Sequence, residues 1–312
     1  MATGCRFWAG HNRIIRESFM KAFDYERPSS FEDACRLLNA AGGSKKVLAG
    51  GTDLIVKTRH KVIAPEGMIS LKDVPGLSDI SFDPGKGLIL GAMARLSDIE
   101  TADIVNAQYP ALATAVATIG STQVRNRATI GGNICNAAPS ADTPPILMAY
   151  GAYVVIGDGK NEREVLLEDF FTGPGQTVLR VGEIVKQIVV PTPPQHVFAI
   201  YIKAARSALD IALVGVALLA VYDPADGVIK ELKVALAAVA PTPVRSKQME
   251  RIVIGNKLDD TIIEKAVVES CTDACSITDI RTTEGYRDTL VETHTRQALE
   301  AARAWIEKGG VL

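Results

Sequence analysis

The sequence predicts an α+β fold with two or three subdomains, and three observations support this prediction. The chain has 312 residues, which is enough to bury a large core. Up to about residue 190, short apolar strands alternate with amphipathic helices. Beyond the proline-rich segment 191–194, the pattern changes to long strands rich in β-branched residues, followed by helices. This order is typical of an antiparallel sheet that is covered by helices.

The first segment, residues 20–86, has a strand–helix–strand pattern. Its helix is expected to start at Phe31 with Ser29 or Ser30 as the N-cap, and a glycine pair stops it. Short strands are predicted at Lys46–Ala49, Leu54–Lys57 and Met68–Leu71. Residues 1–19 fit nothing downstream, and we expect them to be an extension that precedes the fold.

The second segment, residues 87–192, mixes strands and helices in a second α+β subdomain. Its predicted strands are Leu88–Met93, Tyr153–Ile156, Glu164–Leu167 and Ile184–Val190. Its predicted helices are Leu96–Asp103, Ala111–Ile119 and Ile146–Ala152.

The third segment, residues 196–312, is predicted to form a three-stranded antiparallel sheet with helices on it. The predicted strands are Val197–Lys203, Ile211–Tyr222 and Ile229–Val239, and the predicted helices are Thr261–Ala274 and Thr283–Lys308.

Composition excludes several classes of function. The net charge is −2 and aromatic residues are 5% of the chain, so nothing favours binding to nucleic acid or to an anionic membrane. The strongest apolar run, Ile211–Val221, has 11 residues, whereas a membrane span needs about 20. Five scattered cysteines form no disulfide framework and fit a reducing cytoplasm. Cys271 and Cys275 share spacing i, i+4, which favours a buried helix face over half of a metal site.

Two glycine loops are the candidate ligand-binding segments of the sequence. One is Val47–Leu54, with Gly50 and Gly51, and the other lies within Thr118–Pro145 and contains Gly131 and Gly132. Paired glycines allow backbone N–H groups to approach a ligand and can adopt positive φ, so that successive amides converge on one anion. The second loop adds short polar side chains that can bond ribose or ribityl hydroxyls, namely Asn133, Ser140, Asp142 and Thr143. A phosphate-bearing cofactor between the two loops is therefore expected, although a lone glycine pair is more often an ordinary turn.

Other nucleotide and catalytic motifs are missing from the sequence. It has no G-x-G-x-x-G, no Walker A motif and no H-E-x-x-H. The four histidines are isolated, so nothing supports a hydrolytic triad or a zinc site. None lies near either glycine loop. No catalytic residue and no metal ligand is predicted.

Three motifs that follow one another in the chain together resemble the FAD-binding subunit of the molybdenum hydroxylases. They are Ala49–Leu54, Gly120–Asp142 and Lys203–Val214. The resemblance runs from about Met20 to the C-terminus. It implies a two-part FAD-binding domain of the vanillyl-alcohol-oxidase-like type, followed by a C-terminal flavoprotein domain. Because no histidine is near the loops, FAD is expected to be non-covalent.

The resemblance also implies which residues contact FAD. Further contacts beyond the two loops are expected at Asp142 and Lys203, at Val185 through apolar packing, and at Ile119. Arg206 and Asp210 lie in the same motif, and Asp210 is expected to cap backbone or to pair with Lys203 or Arg206. The full set of expected cofactor-binding residues is Val47, Leu48, Ala49, Gly50, Gly51, Thr52, Asp53, Leu54, Ile119, Thr129, Ile130, Gly131, Gly132, Asn133, Ser140, Asp142, Thr143, Val185 and Lys203.

The function implied by the resemblance is electron transfer within a complex. The flavin would receive electrons from [2Fe–2S] centres of a small subunit, after substrate oxidation at the molybdenum cofactor of a large subunit. NAD⁺ or another acceptor would take them from the flavin. Two alternatives stay open: a flavin-free assembly subunit, which would not need intact glycine loops, and a stand-alone FAD-dependent oxidase, which would need a substrate pocket that residues 196–312 do not evidently supply.

Overall fold

A computed structural model describes residues 20–310 of the chain and has an α+β fold, as expected. The predicted extension, residues 1–19, lies outside the described residues. Three sheets follow one another along the chain. Each is associated with its own helices.

The first sheet is a parallel one. Its strands are β1 (Asp24–Glu26), β2 (Lys45–Leu48) and β3 (Gly67–Ser70), in the order β1-β3-β2. Helix α1 (Phe31–Ala40) begins at Ser30, whose hydroxyl accepts a hydrogen bond from the N–H of Asp33 at 3.1 Å. The predicted strand at Leu54–Lys57 is wrong, because these residues form helix α2 (Leu54–Arg59). The chain turns into α2 through Gly51 at φ +79°, and the Gly51 carbonyl accepts the N–H of Ile55.

The second sheet is antiparallel and has five strands. They are β4 (Ile80–Asp83), β5 (Gly87–Gly91), β6 (Tyr153–Gly157), β7 (Glu162–Leu166) and β10 (Ile184–Val190), in the order β4-β5-β10-β6-β7. A separate hairpin pairs β8 (Phe171–Gly173) with β9 (Gln176–Thr177), after a 3₁₀ turn at Leu167–Asp169. Six helices lie between β5 and β6: α3 (Leu96–Thr101), α4 (Asp103–Gln108), α5 (Pro110–Ala117), α6 (Thr122–Arg125), α7 (Ile130–Cys135) and α8 (Thr143–Ala149).

The third sheet contains the three predicted long strands in antiparallel order, and a two-residue strand extends it. Its strands are β11 (Val197–Ala204), β12 (Val214–Tyr222), β13 (Ile229–Ala237) and β14 (Val244–Arg245). The C-terminal helices are α9 (Lys247–Val253), α10 (Asp260–Val268), a 3₁₀ turn at Glu269–Cys271, and α11 (Glu284–Glu307). The predicted helix Thr261–Ala274 therefore ends earlier than its sequence pattern indicated.

The central strand β12 is covered on both faces. Val214, Val216 and Leu218 pack with the C-terminal helices, whereas Ala217 and Leu219 belong to the core of the second sheet. Side chains alternate across a strand, so a strand buried on both faces must be apolar at every position, and this one nearly is. The third sheet is thereby fixed against helices α5 and α8.

The cysteines form no disulfide among the described residues. The expectation that Cys271 and Cys275 share a buried helix face is wrong: Cys271 ends the 3₁₀ turn and Cys275 is exposed in the following loop. Within residues 20–310, no group of three His, Cys, Asp or Glu side chains is placed to hold a metal ion. None of the helices in this part of the chain has the length and apolarity needed to cross a membrane.

Candidate functional site

A cavity of about 370 Å³ lies between the two glycine loops. Its walls come from the first sheet and helix α2 on one side, and from helix α7 and strand β10 on the other. Most ligand cavities in proteins have volumes of about 300–1,000 Å³ and combine apolar walls with a few polar groups. The expected site residues that line this cavity are Val47, Ala49, Gly50, Gly51, Thr52, Asp53, Leu54, Thr129, Gly131, Gly132, Asn133 and Val185.

The four loop glycines have different structural roles. A Cβ on Gly50 would collide with the carbonyl oxygen of Arg127, and one on Gly131 would lie 2.6 Å from the carbonyl oxygen of Ala92. These two glycines are therefore required because the backbone of a neighbouring segment packs directly against them. Gly51 supplies positive φ, at +79°. At Gly132 a Cβ would point at the cavity wall, 2.9 Å from Thr129 Oγ1.

The second glycine pair is helical, which corrects part of the sequence interpretation. Gly131 and Gly132 do not have positive φ, because they belong to the first turn of α7. Thr129 is the N-cap of this helix, and its hydroxyl accepts the N–H of Gly132 at 3.1 Å. The N–H groups at this helix start are already bonded within the protein: Gly131 donates to the Ala92 carbonyl, Gly132 to Thr129 Oγ1 and Asn133 to the Thr129 carbonyl.

The first glycine loop leaves backbone donors without a protein acceptor. Within the described residues, the N–H groups of Gly51, Thr52 and Asp53 donate no hydrogen bond to protein. They are grouped at the cavity wall where the chain enters α2. Grouped N–H donors beside a positive-φ glycine form an anion-binding concavity. This arrangement fits the diphosphate of a dinucleotide.

A second group of expected site residues lies outside this cavity, around Asp142 and Lys203. Lys203 Nζ donates to Asp142 Oδ2 and to the Thr118 carbonyl, each at 3.0 Å. The Tyr201 hydroxyl donates to Asp142 Oδ1 at 2.7 Å. Burial raises the pKa of the Asp142 carboxyl, although Lys203 and Tyr201 oppose that shift. Burial and the neighbouring Asp142 raise the pKa of Tyr201 well above its usual value.

A hydrogen bond connects this buried cluster with the cavity. The Thr143 hydroxyl, fully buried and next to Asp142, donates to Asn133 Oδ1 at 2.6 Å, and Asn133 lines the cavity. The two groups of expected residues are thus neighbours, joined by the adjacent positions of Asp142 and Thr143 and by the bond from Thr143 to Asn133. Together they extend from the glycine loops to the end of β11.

Four expected residues make no direct contribution to the cavity surface. Ile130 is fully buried in the core of the second sheet, and Ile119 packs against that core one residue beyond the Thr118 carbonyl. Leu48 has its carbonyl bonded to the N–H of Leu71. Ser140 lies in the loop between α7 and α8. Asp210 does both things that were expected as alternatives: its Oδ2 lies 2.6 Å from Arg206 Nε, and its Oδ1 accepts the backbone N–H of Ile211 at 2.8 Å.

The sequence interpretation missed several residues of this region, and three of them make polar contacts that matter for the site. Tyr201 was detectable, because it lies two residues before Lys203 and therefore on the same face of a strand. Its hydroxyl fits because Gly215, which pairs with Lys203 on the neighbouring strand, has no side chain: a Cβ at Gly215 would be 2.7 Å from the hydroxyl. Lys57 and Asn136 also line the cavity. Lys57 was missed because its segment was predicted as a strand.

Comparison with known proteins agrees with this geometry. Residues 21–193 match the family described as the FAD binding domain in molybdopterin dehydrogenase. Residues 199–302 match the CO dehydrogenase flavoprotein C-terminal domain. The fold and site therefore define an oxidoreductase subunit of the flavoprotein class. The chain belongs to the family of FAD-binding domains of molybdopterin dehydrogenases, with a C-terminal domain of the CO dehydrogenase flavoprotein type.

Individual relatives cover nearly the whole chain. The glyceraldehyde dehydrogenase medium chain of Sulfolobus acidocaldarius is 33% identical over 89% of this chain and 97% of its own length. The xanthine dehydrogenase FAD-binding subunit of Escherichia coli O157:H7 is 30% identical over 90% of this chain and 96% of its own length. A carbon monoxide dehydrogenase structure from Hydrogenophaga pseudoflava matches with a TM-score of 0.88 and 30% identity, over 92% of this chain and 99% of that one.

Proposed function

We propose that the chain binds one FAD non-covalently and is the electron-transfer subunit of a molybdenum-dependent hydroxylase or dehydrogenase complex. The observation that carries the proposal is the cavity between two glycine loops, where grouped N–H donors face an apolar space. The flavin-free alternative has no use for such a cavity. The relatives' names as medium chains and FAD-binding subunits support the same proposal.

Each part of the chain would have a distinct task in binding. The free N–H groups of Gly51, Thr52 and Asp53 would hold the diphosphate, and the start of α7 would form the opposite wall of the site. Val185 and Leu54 would pack against apolar parts of the cofactor. The buried cluster of Asp142, Lys203 and Tyr201 would present a fixed carboxylate and ammonium to the polar edge of the flavin.

FAD supplies the redox chemistry when it is bound, and the protein binds it, orients it and sets its electrostatic surroundings. The described residues contain no group of three potential metal ligands, so we propose that the iron–sulfur and molybdenum centres belong to partner subunits. The partners would be a small [2Fe–2S] subunit and a large molybdenum-cofactor subunit. NAD⁺ or another acceptor would receive the electrons. A cytoplasmic location is part of the proposal, and the absence of disulfides among the described residues supports it.

The visible spectrum of the purified chain tests this proposal. A yellow protein that releases FAD into the supernatant on heat denaturation is the expected result. Colour that stays with the precipitate would indicate a covalent flavin and would favour a stand-alone oxidase. A colourless chain that fails to take up added FAD would contradict the proposal.

A further inference from the structure

A lysine lies between the two glycine loops, at the wall of the cavity. Lys57 Nζ donates to Asn136 Oδ1 at 2.6 Å, and both residues line the cavity. The amide of Asn136 in turn donates from Nδ2 to Asp53 Oδ1 at 3.1 Å. The side chain of Asn136 therefore connects an acid and a base that both belong to the first loop region.

The backbone explains why these three side chains meet. Lys57 follows Asp53 by one helical turn, and its N–H donates to the Asp53 carbonyl at 2.8 Å. Asn136 is the C-cap of α7, the helix that begins at the second glycine loop. The series Asp53–Asn136–Lys57 thus joins the first glycine loop and the start of α2 to the C-terminal end of α7. An asparagine suits this position because one side chain carries both an acceptor and donors.

The ammonium of Lys57 keeps capacity for a ligand. It forms no salt bridge to an acid within residues 20–310, and Asn136 accepts only one of its three protons. The other acid of the cavity wall, Glu183, is already bonded through both oxygens to Arg163. Lys57 is partly buried beside the free N–H groups of Gly51, Thr52 and Asp53. A partly buried cation next to grouped N–H donors favours a phosphate anion.

We propose that Lys57 binds the diphosphate of the cofactor through its ammonium group, and that Asn136 is a positioning residue that holds this ammonium toward the cavity. The inference rests on the proposed function, because it names the side-chain cation of that same site.

The test compares ligands that contain or lack phosphate. The full chain, freed of flavin, is titrated with FAD, with ADP and with riboflavin, in the wild type and in Lys57→Met. We expect Lys57→Met to bind FAD and ADP about 10–100-fold more weakly, since hydrogen bonds to charged groups contribute about that factor, and riboflavin binding to stay within about twofold. The ratio of FAD to riboflavin affinity is measured on one preparation, so partial misfolding does not change it.

Two further variants make the test specific. Lys46→Met removes an exposed lysine from the rim of the same cavity, and we expect the affinity ratio to remain that of the wild type. Asn136→Leu should lower the ratio in the wild-type background and leave it unchanged in the Lys57→Met background, because Asn136 acts through Lys57. A purely structural role of Asn136 would give the same loss in both backgrounds.

Three results would overturn the inference. One is an unchanged affinity ratio in Lys57→Met. Another is an equal decrease of the affinity ratio in Lys46→Met, which would mean that any positive charge near the cavity has the same effect. The third is an Asn136→Leu effect that is independent of Lys57. Failure of the proposed function looks different, because the wild type would then bind neither FAD nor ADP.

Discussion

Lys203 Nζ lies 3.0 Å from Asp142 Oδ2, and both side chains are less than a tenth exposed. The two residues are 61 positions apart. Asp142 precedes helix α8 and Lys203 lies near the end of β11, so the ion pair joins the FAD-binding part of the chain to its C-terminal sheet. Tyr201 and the Thr118 carbonyl provide the remaining hydrogen bonds that two buried charges need.

Removal of one partner of this pair should destabilise the protein strongly. We expect Lys203→Met to lower the free energy of unfolding by about 3–5 kcal/mol, because it leaves the Asp142 carboxylate buried without its cation. The control is Lys186→Met, which breaks an exposed salt bridge with Glu162 and should cost about 1 kcal/mol or less. Urea denaturation measures both. Similar losses in the two variants would mean that the buried pair has no special importance.

The helix cap at Thr129 should matter for the cofactor as well as for stability. Thr129→Ala and Thr283→Ala each remove the N-cap of a helix, and each should cost about 1 kcal/mol. Only Thr129 lies at the cavity, so only Thr129→Ala should also weaken FAD binding. The comparison needs an unfolding curve and an FAD titration for each variant. Equal effects on FAD affinity would show that the start of α7 has no part in the site.

Stability should fall in acid partly through Asp279. The backbone N–H groups of Arg281 and Thr282 donate to its carboxylate, with Arg281 and Arg287 nearby, and together they lower the pKa to about 2 from 3.8, against the opposing effect of burial. The unfolded chain therefore binds a proton here at higher pH than the folded chain does. The stabilisation is present above about pH 4 and is lost as the pH falls toward 2.

The variant Asp279→Asn removes this dependence. Its urea midpoint should lie below that of the wild type at pH 7, and the difference should shrink by pH 3. A difference between the two proteins that is constant over this pH range would contradict the assignment to Asp279.

The thiol in the cavity wall should be unreactive. Burial raises the pKa of Cys135 to about 12, so almost no thiolate is present at pH 8, and the thiolate is the nucleophile. Exposed Cys275 should be alkylated by iodoacetamide under conditions that leave Cys135 unmodified. Peptide mass spectrometry distinguishes the two sites, and the denatured chain should react at both. Rapid native alkylation of Cys135 would show that the cavity wall is open to solvent.

Local patterns predicted much of the fold. The segment Ile184–Val190 is a strand with the bounds that its apolar run indicated, and Ser30 is an N-cap as its position before Phe31 indicated. The failure at Leu54–Lys57 has a specific cause. Leu54, Ile55 and Val56 are apolar and partly β-branched, which favours a strand, but Gly51 turns the chain so that its carbonyl starts a helix.

The candidate site was predictable only in part. The glycine loops are visible in the sequence, and both line the cavity. The contact of Asp142 with Lys203 is not visible in the sequence spacing, because it depends on how the third sheet packs on α8. Asp142 was expected as a polar residue of the second loop, whereas the family resemblance was needed to indicate Lys203. The contact of Lys57 with Asn136 joins positions 79 apart and was lost with the wrong assignment of α2.

A substitution at Gly132 tests the site most directly. Valine there would place a Cβ 2.9 Å from Thr129 Oγ1 and would extend further into the cavity wall, so Gly132→Val should abolish FAD binding. Gly285→Val is the matched control, because Gly285 also lies in the first turn of a helix but a Cβ added there would meet no neighbouring atom within 4 Å. The variant Gly285→Val should bind FAD as tightly as the wild type does.

The central claim is that the cavity between the glycine loops binds FAD. Equilibrium titration of the flavin-free chain with FAD, followed by flavin fluorescence, tests it in the wild type, in Gly132→Val and in Gly285→Val. We expect one FAD for each chain in the wild type and in Gly285→Val, and no saturable binding in Gly132→Val. Stoichiometric FAD in Gly132→Val, or none in the wild type, would contradict it.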